Sequence, residues 1–184
     1  AAGRLSGVIT QNVDGLHQAA GAHDVVELHG GLDLVVCLDC GRRERRRELD
    51  ARLAAANPGF AVAADRINPD GDVELPDAAL AGFVLVGCAH CGGDRVKPDV
   101  VFFGENVPRP RVETCFALVE AAAGLLVLGS SLSVQSGLRF VRRAAALQLP
   151  VVIVNQGETR GDPLATLKID APLGPTLTGL AADL

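Results

Sequence analysis

"GLLVLGSSLSVQSGLRFVRRAAALQLPVVIVNQG" occupies residues 124–157. It opens with an unbroken Leu/Val run that ends in small polar residues. A helical pattern follows, "SGLRFVRRAAALQ", which stops near Pro150. A second apolar run, "VVIV", then ends in Asn155, Gln156 and Gly157. Strands without polar alternation are buried on both faces, and strands that alternate with helices build a parallel sheet. The stretch therefore predicts a strand–helix–strand unit of an α/β fold. Ligands of open parallel sheets lie at the carboxyl ends of strands. The endings "GSSLS" and "NQG" are thus candidate ligand loops.

The same alternation continues on both sides. "PDVVFFG" (98–104) reads as a short buried strand. "PRVETCFALVEAAA" (110–123) reads as a helix with Val112, Cys115, Phe116 and Val119 on one face. "TLKID" predicts a last short strand. "GPTLTGLAADL" predicts a closing helix with Pro175 near its first turn.

A third strand end lies near the start. "GVIT" (7–10) gives way to Gln11, Asn12, Asp14 and His17, broken by Gly15. Amide and carboxylate groups are seldom placed at a buried strand end unless something needs them. "DVVELHG" then puts His29 after an apolar run and before Gly30-Gly31. A histidine there can face a ligand as a general base, or can be a capped loop residue.

The totals narrow the class. The 184 residues are 48% hydrophobic, enough for a core, and allow one domain or a domain with a small satellite. A net charge of -5 argues against nucleic acid as partner. The basic run "RRERRRELD" (42–50) is interleaved with Glu44 and Glu48 and reads as a solvated face. No apolar run approaches the roughly 18 residues needed to span a bilayer. The chain has no Met and opens without an apolar leader, so it reads as a fragment or a processed start. Two Lys against fifteen Arg, with abundant Ala and Gly, point to a GC-rich bacterial source and a cytoplasmic location.

The cysteines suggest a metal. Cys37-Leu-Asp-Cys40 and Cys88-Ala-His-Cys91 are two C-x2-C knuckles, each followed by glycine. Four thiolates from two knuckles give closed, tetrahedral, structural zinc. The rival reading is a redox C-x-x-C pair, which two spaced pairs make poor. The 47 residues between Cys40 and Cys88 leave room for an insert, read as a helix over 42–57 that Asn57-Pro58 ends. "NPGF" and "NPDGDVELPD" read as turns. His90 is expected to be a bystander, and Cys115 to belong to the core.

Taken in order, "TQNVDGLHQAAG", "ELHG", "CLDC…CAHC", "KPDVVFFGE", "GSSLSV" and "VNQG" resemble the sirtuins, NAD-dependent protein-lysine deacylases of the transferase type. The resemblance runs from Val8 to about Leu180. "ELHGGLDLVVCLDC", "NPDGDVEL" and "GSSLSVQSGLRF" look most like the class II branch that includes the sirtuin-four type. It implies a Rossmann-like parallel sheet with helices on both faces and a small zinc module. The expected division is 1–36 with 98–184 for NAD, and 37–97 for zinc held by Cys37, Cys40, Cys88 and Cys91.

The resemblance also implies roles. Gln11, Asn12 and Asp14 match residues at the nicotinamide end of NAD, and His29 matches the catalytic base. Gly129, Ser130 and Ser131 match the turn at a phosphate and ribose, and Asn155 the residue that holds the adenosine ribose. Val101, Phe102, Phe103, Gly104 and Glu105 match the segment that pairs with an acyl-lysine peptide as an added strand. The implied chemistry is attack of the acyl oxygen on the ribose carbon as nicotinamide leaves. A ribose hydroxyl is then deprotonated, which a neutral imidazole can do. Phe102 and Phe103 are expected to divide between core and tunnel wall.

ADP-ribosyl transfer to protein uses the same residues and is the alternative activity. A catalytically incomplete NAD- and zinc-binding fragment is another. Two departures from the pattern stand out. The first strand and Gly-rich phosphate loop of sirtuins are absent from the sequence as it starts, and Gly31 and Leu34 replace a Cys and an Arg of many relatives.

Overall fold

The computed structural model describes residues 5–60 and 80–183. The turn expected at "NPDGDVELPD" lies outside them. The chain divides into two units: Ala1–His29 with Val101–Leu184, and Gly30–Val100.

In the first unit, β1 (Val8–Thr10) runs parallel to β2 (Val25–Glu27), in register Val8 to Val25. A short helix, α1 (Leu16–Ala19), lies between them. Further on come α3 (Arg109–Ala121), β6 (Leu125–Leu128), α4 (Gln135–Ala146), β7 (Val151–Val154), β8 (Leu167–Ile169) and α5 (Leu173–Ala182). β6, β7 and β8 form a parallel sheet in that order. The quoted stretch thus folds as the strand–helix–strand unit that its pattern predicts. The parallel strands fall into a pair and a triplet that share no backbone ladder among the described residues.

The apolar stripes explain the packing. α4 buries Leu138, Phe140, Val141 and Ala144; Leu138 aligns with Val141 (i, i+3) and Phe140 with Ala144 (i, i+4), so the apolar arc covers nearly half of the helix. They meet Val151 and Ile153 of β7, both 0% exposed. α3 adds Cys115 and Val119, and Phe116 packs edge-on against Phe140 with ring centroids 5.1 Å apart. Cys115 is a core residue, as expected. Truncating Ile153 to Ala costs about 2–5 kcal/mol, because the closed core cannot refill the space. β6 departs from expectation. Leu125 and Val127 face the core, but Leu126 and Leu128 are exposed, so this strand is buried on one face only.

In the second unit, β3 (Gly30–Cys37) is the centre of an antiparallel sheet, flanked by β4 (Arg43–Arg45) and β5 (Val96–Val100). The boundaries expected at 36/37 and 97/98 therefore move to 29/30 and 100/101. β3 and β5 pair from Gly30–Val100 to Cys37–Val96, which ties both strands to this unit. Gly30 permits the pairing: at φ +85 it lies so close to Asp99 that an added Cβ would meet that carbonyl.

The helix expected over 42–57 is α2 (Arg46–Ala56), because Arg43–Arg45 pair with β3 instead. Arg52 reaches back with both terminal nitrogens, at 2.8 Å each, to the Glu44 carboxylate. That fork clamps α2 onto β4 and holds the Glu44 carboxyl below its ordinary value. "NPGF" is a turn: Phe60 N–H donates to Asn57 O, and Gly59 has φ +79. The strand expected over 98–104 ends at Val100 and is half-buried, because Phe102–Gly104 turn away.

Candidate active site and metal centre

His29 is brought to the end of β1 by strand pairing. Leu28 N–H donates to Thr10 O at 2.8 Å, extending the β1–β2 ladder by one step. Leu28 is fully buried, and Arg111 donates to its carbonyl at 3.3 Å. The half-buried His29 ring then has two polar neighbours. Nδ1 lies 3.2 Å from Gln11 O and Nε2 lies 2.8 Å from Ser136 Oγ. Burial lowers the imidazole pKa below its ordinary value, the Gln11 carbonyl partly opposes this, and the Arg111 charge adds to the lowering.

The loops after β1 and β6 meet beside this ring. Ser130 Oγ donates to Gln11 Oε1 at 3.1 Å. Gly137, in the first turn of α4, has the Gln11 amide where a Cβ would stand, 3.0 Å from Oε1. Gly129 has φ +59 and donates its N–H to Val154 O at 3.0 Å. The exposed Ser131 hydroxyl lies 2.5 Å from Ser133 Oγ, and Arg160 binds the Ser131 and Ser133 carbonyls from the next loop. Asn155, one residue beyond β7, donates Nδ2 to Gln156 O and Gly157 O. Lys168 fixes that turn by donating to Asn155 O at 3.0 Å and Gly157 O at 2.8 Å.

Asn12 and Asp14 are exposed in the loop after β1. Asp14 Oδ1 accepts Leu16 N–H at 3.0 Å, which turns the chain into α1. Val101 N–H donates to His29 O at 2.8 Å, so the Val101–Glu105 segment starts beside the histidine. Neither aromatic ring that follows lies in the core. Phe102 is half exposed and Phe103 is fully exposed, because the Phe102–Glu105 turn, with Gly104 at φ +89, directs the chain outward. This corrects the expectation that one of them packs inside.

Cys37, Cys40, Cys88 and Cys91 converge in the second unit, with all four Sγ atoms within 4.8 Å of one another. Cys37–Cys91 and Cys40–Cys88 are 3.7 and 3.8 Å apart. Tetrahedral zinc with Zn–S bonds of about 2.3 Å needs sulfur–sulfur edges of about 3.8 Å. The donor set therefore fits zinc. His90 N–H and Gly93 N–H point at Cys88 Sγ and Cys91 Sγ, each at 3.4 Å. The amides of Cys91 and His90 hold the Cys88 thiol down to about 7, whereas the crowding of neighbouring thiols leaves Cys40 and Cys91 above their ordinary value, as expected of sulfurs packed together.

The Sir2 family model matches residues 1–136. The chain belongs to the Sir2 family. It is 63% identical over 179 residues to NAD-dependent protein deacetylase 1 of Streptomyces coelicolor, covering 97% of this chain and 60% of that protein. It is 51% identical over 177 residues to NAD-dependent protein deacylase Sirt4 of Drosophila melanogaster, covering 96% and 56%. Sir2Tm solved with a propionylated peptide superposes with a TM-score of 0.74 at 28% identity, covering 96% of this chain and 63% of that one. The chain thus spans about three-fifths of the length of the curated relatives it matches. Its fold is the Rossmann-like α/β fold of the Sir2 family, and its second unit carries the cysteine cluster.

Three features of this Sir2 chain escape a reading of the sequence. Ser136 is a small polar residue in a helical first turn, with nothing to mark its contact to a histidine 107 positions earlier. Gly137 reads as a weak helix residue, and its close approach to Gln11 is visible only in three dimensions. Lys168 lies in a predicted strand, where its reach to the Asn155 turn has no local signature.

Proposed function

We propose that the protein carrying this chain is an NAD-dependent protein-lysine deacylase that releases nicotinamide and O-acyl-ADP-ribose. One observation carries the reading: a half-buried histidine, its pKa lowered, held between Gln11 O and Ser136 Oγ where the loops after β1 and β6 meet. The Streptomyces and Drosophila relatives are named NAD-dependent deacetylase and deacylase, which supports it.

In this reading the first unit is the NAD-binding domain. Gln11, Asn12, Asp14, Gly129, Ser130, Ser131 and Asn155 are its cofactor contacts. The donor set suits NAD: Ser131 offers an exposed hydroxyl at the end of β6, and Asn155 an amide at the end of the adjacent β7. Bound NAD supplies an electrophilic ribose carbon and a nicotinamide leaving group. His29 supplies a neutral imidazole that accepts a proton from a ribose hydroxyl. Asn12 and Asp14 orient the departing amide. Val101, Phe102, Phe103, Gly104 and Glu105 receive the acyl-lysine peptide as an added strand. The zinc unit is structural. A cytoplasmic location goes with thiols kept as metal ligands.

The test is nicotinamide release from NAD with a panel of acyl-lysine peptides. It is run on this chain and on the longest natural polypeptide that carries it. Release with matching loss of the acyl group is expected, and His29→Ala abolishes it while zinc content and melting temperature hold. A protein acceptor that gains ADP-ribose while every peptide keeps its acyl group overturns the deacylase reading.

A further inference from the structure

The hydrogen bonds around His29 admit one consistent arrangement of protons. Gln11 O is a backbone carbonyl and can only accept, so Nδ1, 3.2 Å away, carries the ring proton. A neutral imidazole has a single N–H, which leaves Nε2 as a bare lone pair. Ser136 Oγ, 2.8 Å from Nε2, is then the donor. Ser136 is buried, in the first turn of α4, whose neighbouring Leu138 and Phe140 are locked in the core. The Gln11 end is equally fixed, because its side chain is caught between Ser130 and Gly137. The ring is therefore gripped at both nitrogens by groups that cannot easily move.

We propose that Ser136 is a positioning residue for His29: its hydroxyl donates to Nε2 and fixes the orientation of the ring, while Gln11 O holds the Nδ1–H tautomer that leaves Nε2 as the basic nitrogen. Which nitrogen of a histidine is basic is decided by the partner of the other nitrogen. Here the Gln11 carbonyl decides it, and the Ser136 hydroxyl fits the outcome. Nε2 has one lone pair, so the Ser136 O–H swings off it before a proton from a ribose hydroxyl can bind there, and both nitrogens are then donors. Ser136 Oγ can then turn from donor to acceptor, because a hydroxyl does either. The serine thus accommodates the ring before and after proton transfer without moving the backbone. The consequence for turnover rests on the deacylase reading, whereas the proton arrangement does not.

The test has a spectroscopic and a kinetic arm. In the first, the chain carries 15N-labelled histidine, and the His29 ring signals are assigned at pH 8 by their loss in His29→Ala. A protonated Nδ1 and an unprotonated Nε2 are expected. In Ser136→Ala the Nε2 signal should shift as it loses its hydrogen bond, with Nδ1 still protonated against Gln11 O, and Ser136→Thr should return the wild-type pattern. In the second arm, kcat of the longest natural polypeptide should fall at least about tenfold in Ser136→Ala, with KM for NAD within about twofold and Ser136→Thr near wild type.

A wild-type ring protonated at Nε2 overturns the proposal. So does a Ser136→Ala variant with unchanged ring signals or unchanged kcat. If Ser136→Ala does not fold, the wild-type and Ser136→Thr spectra decide alone. Full turnover by His29→Ala removes the base reading and leaves the tautomer result standing, so the two failures are distinct.

Discussion

Ser130 Oγ donates to the Gln11 side chain at 3.1 Å, joining the loop after β1 to the loop after β6 across 119 residues of sequence. The bond fixes Gln11 from one side while Gly137 admits it from the other. Gly137→Ala puts a methyl 3.0 Å from Oε1, inside ordinary contact distance. The far end of a side chain can yield, and alanine favours the helix by about 0.5–1 kcal/mol. The melting temperature should therefore change little while NAD binding weakens. Thermal denaturation and titration calorimetry measure the two, and a variant with unchanged NAD affinity contradicts the account.

The cysteine geometry predicts one zinc per chain. Cys40→Ser removes one of four thiolates, and structural zinc in small domains supplies about 10–16 kcal/mol of binding free energy that is also folding free energy. The variant should lose most of its metal and unfold its second unit. Cys115→Ser should keep the metal, because Cys115 is buried among Val119 and Phe140 in the first unit. Metal analysis after gel filtration tests both, and full occupancy in Cys40→Ser refutes the site.

The lowered pKa of His29 sets a pH dependence with a definite sign. Burial opposes the imidazolium in the fold, whereas the unfolded chain protonates near the ordinary value of about 6.5. Between that value and the lower folded one, the unfolded state holds more protons, so stability falls as pH falls. Above about 6.5 both states are neutral and the contribution is flat. The acid limb of kcat/KM should accordingly lie below 6.5, since the free enzyme keeps its base neutral to lower pH. Denaturant midpoints from pH 5 to 8 for wild type and His29→Ala expose the slope. An acid limb above 6.5 contradicts the assignment.

What was legible in the sequence follows the physics of each signal. Unbroken apolar runs between helical stripes are local, so β6, α4 and β7 were readable, as were Cys115 in the core and the four clustered cysteines. The antiparallel sheet was not. β3 begins at Gly30-Gly31 and carries Asp33, which masks the alternation, and β4 hides in an Arg/Glu run that its neighbours make look helical. The Phe102–Phe103 pair was misread because two aromatics suggest burial, although a Gly at φ +89 directs them to solvent. His29 could be singled out by the glycines after it. Its partner Ser136 is a tertiary contact, and no residue near it in the chain announces it.

The Asn155 turn supplies the last prediction. Lys168 Nζ donates to two carbonyls of that turn and lies 4.0 Å from Asp162, whose carboxylate is engaged by Thr159. The ammonium is half-buried and substitutes for water at carbonyls that a tight turn leaves without backbone partners. Hydrogen bonds to a charged group contribute about 1.5–3 kcal/mol. Lys168→Met keeps the stem's packing and removes both bonds, so the turn loosens and Asn155 loses its fixed aim. KM for NAD should rise about tenfold, the equivalent of about 1.4 kcal/mol, with kcat at saturation little changed. If kcat falls while KM holds, Lys168 acts on the chemistry rather than through the loop. If neither moves, the turn is held without Lys168, by Asn155 Nδ2 through Gln156 O and Gly157 O and by Asp170 Oδ1, which accepts Gly157 N–H at 3.1 Å.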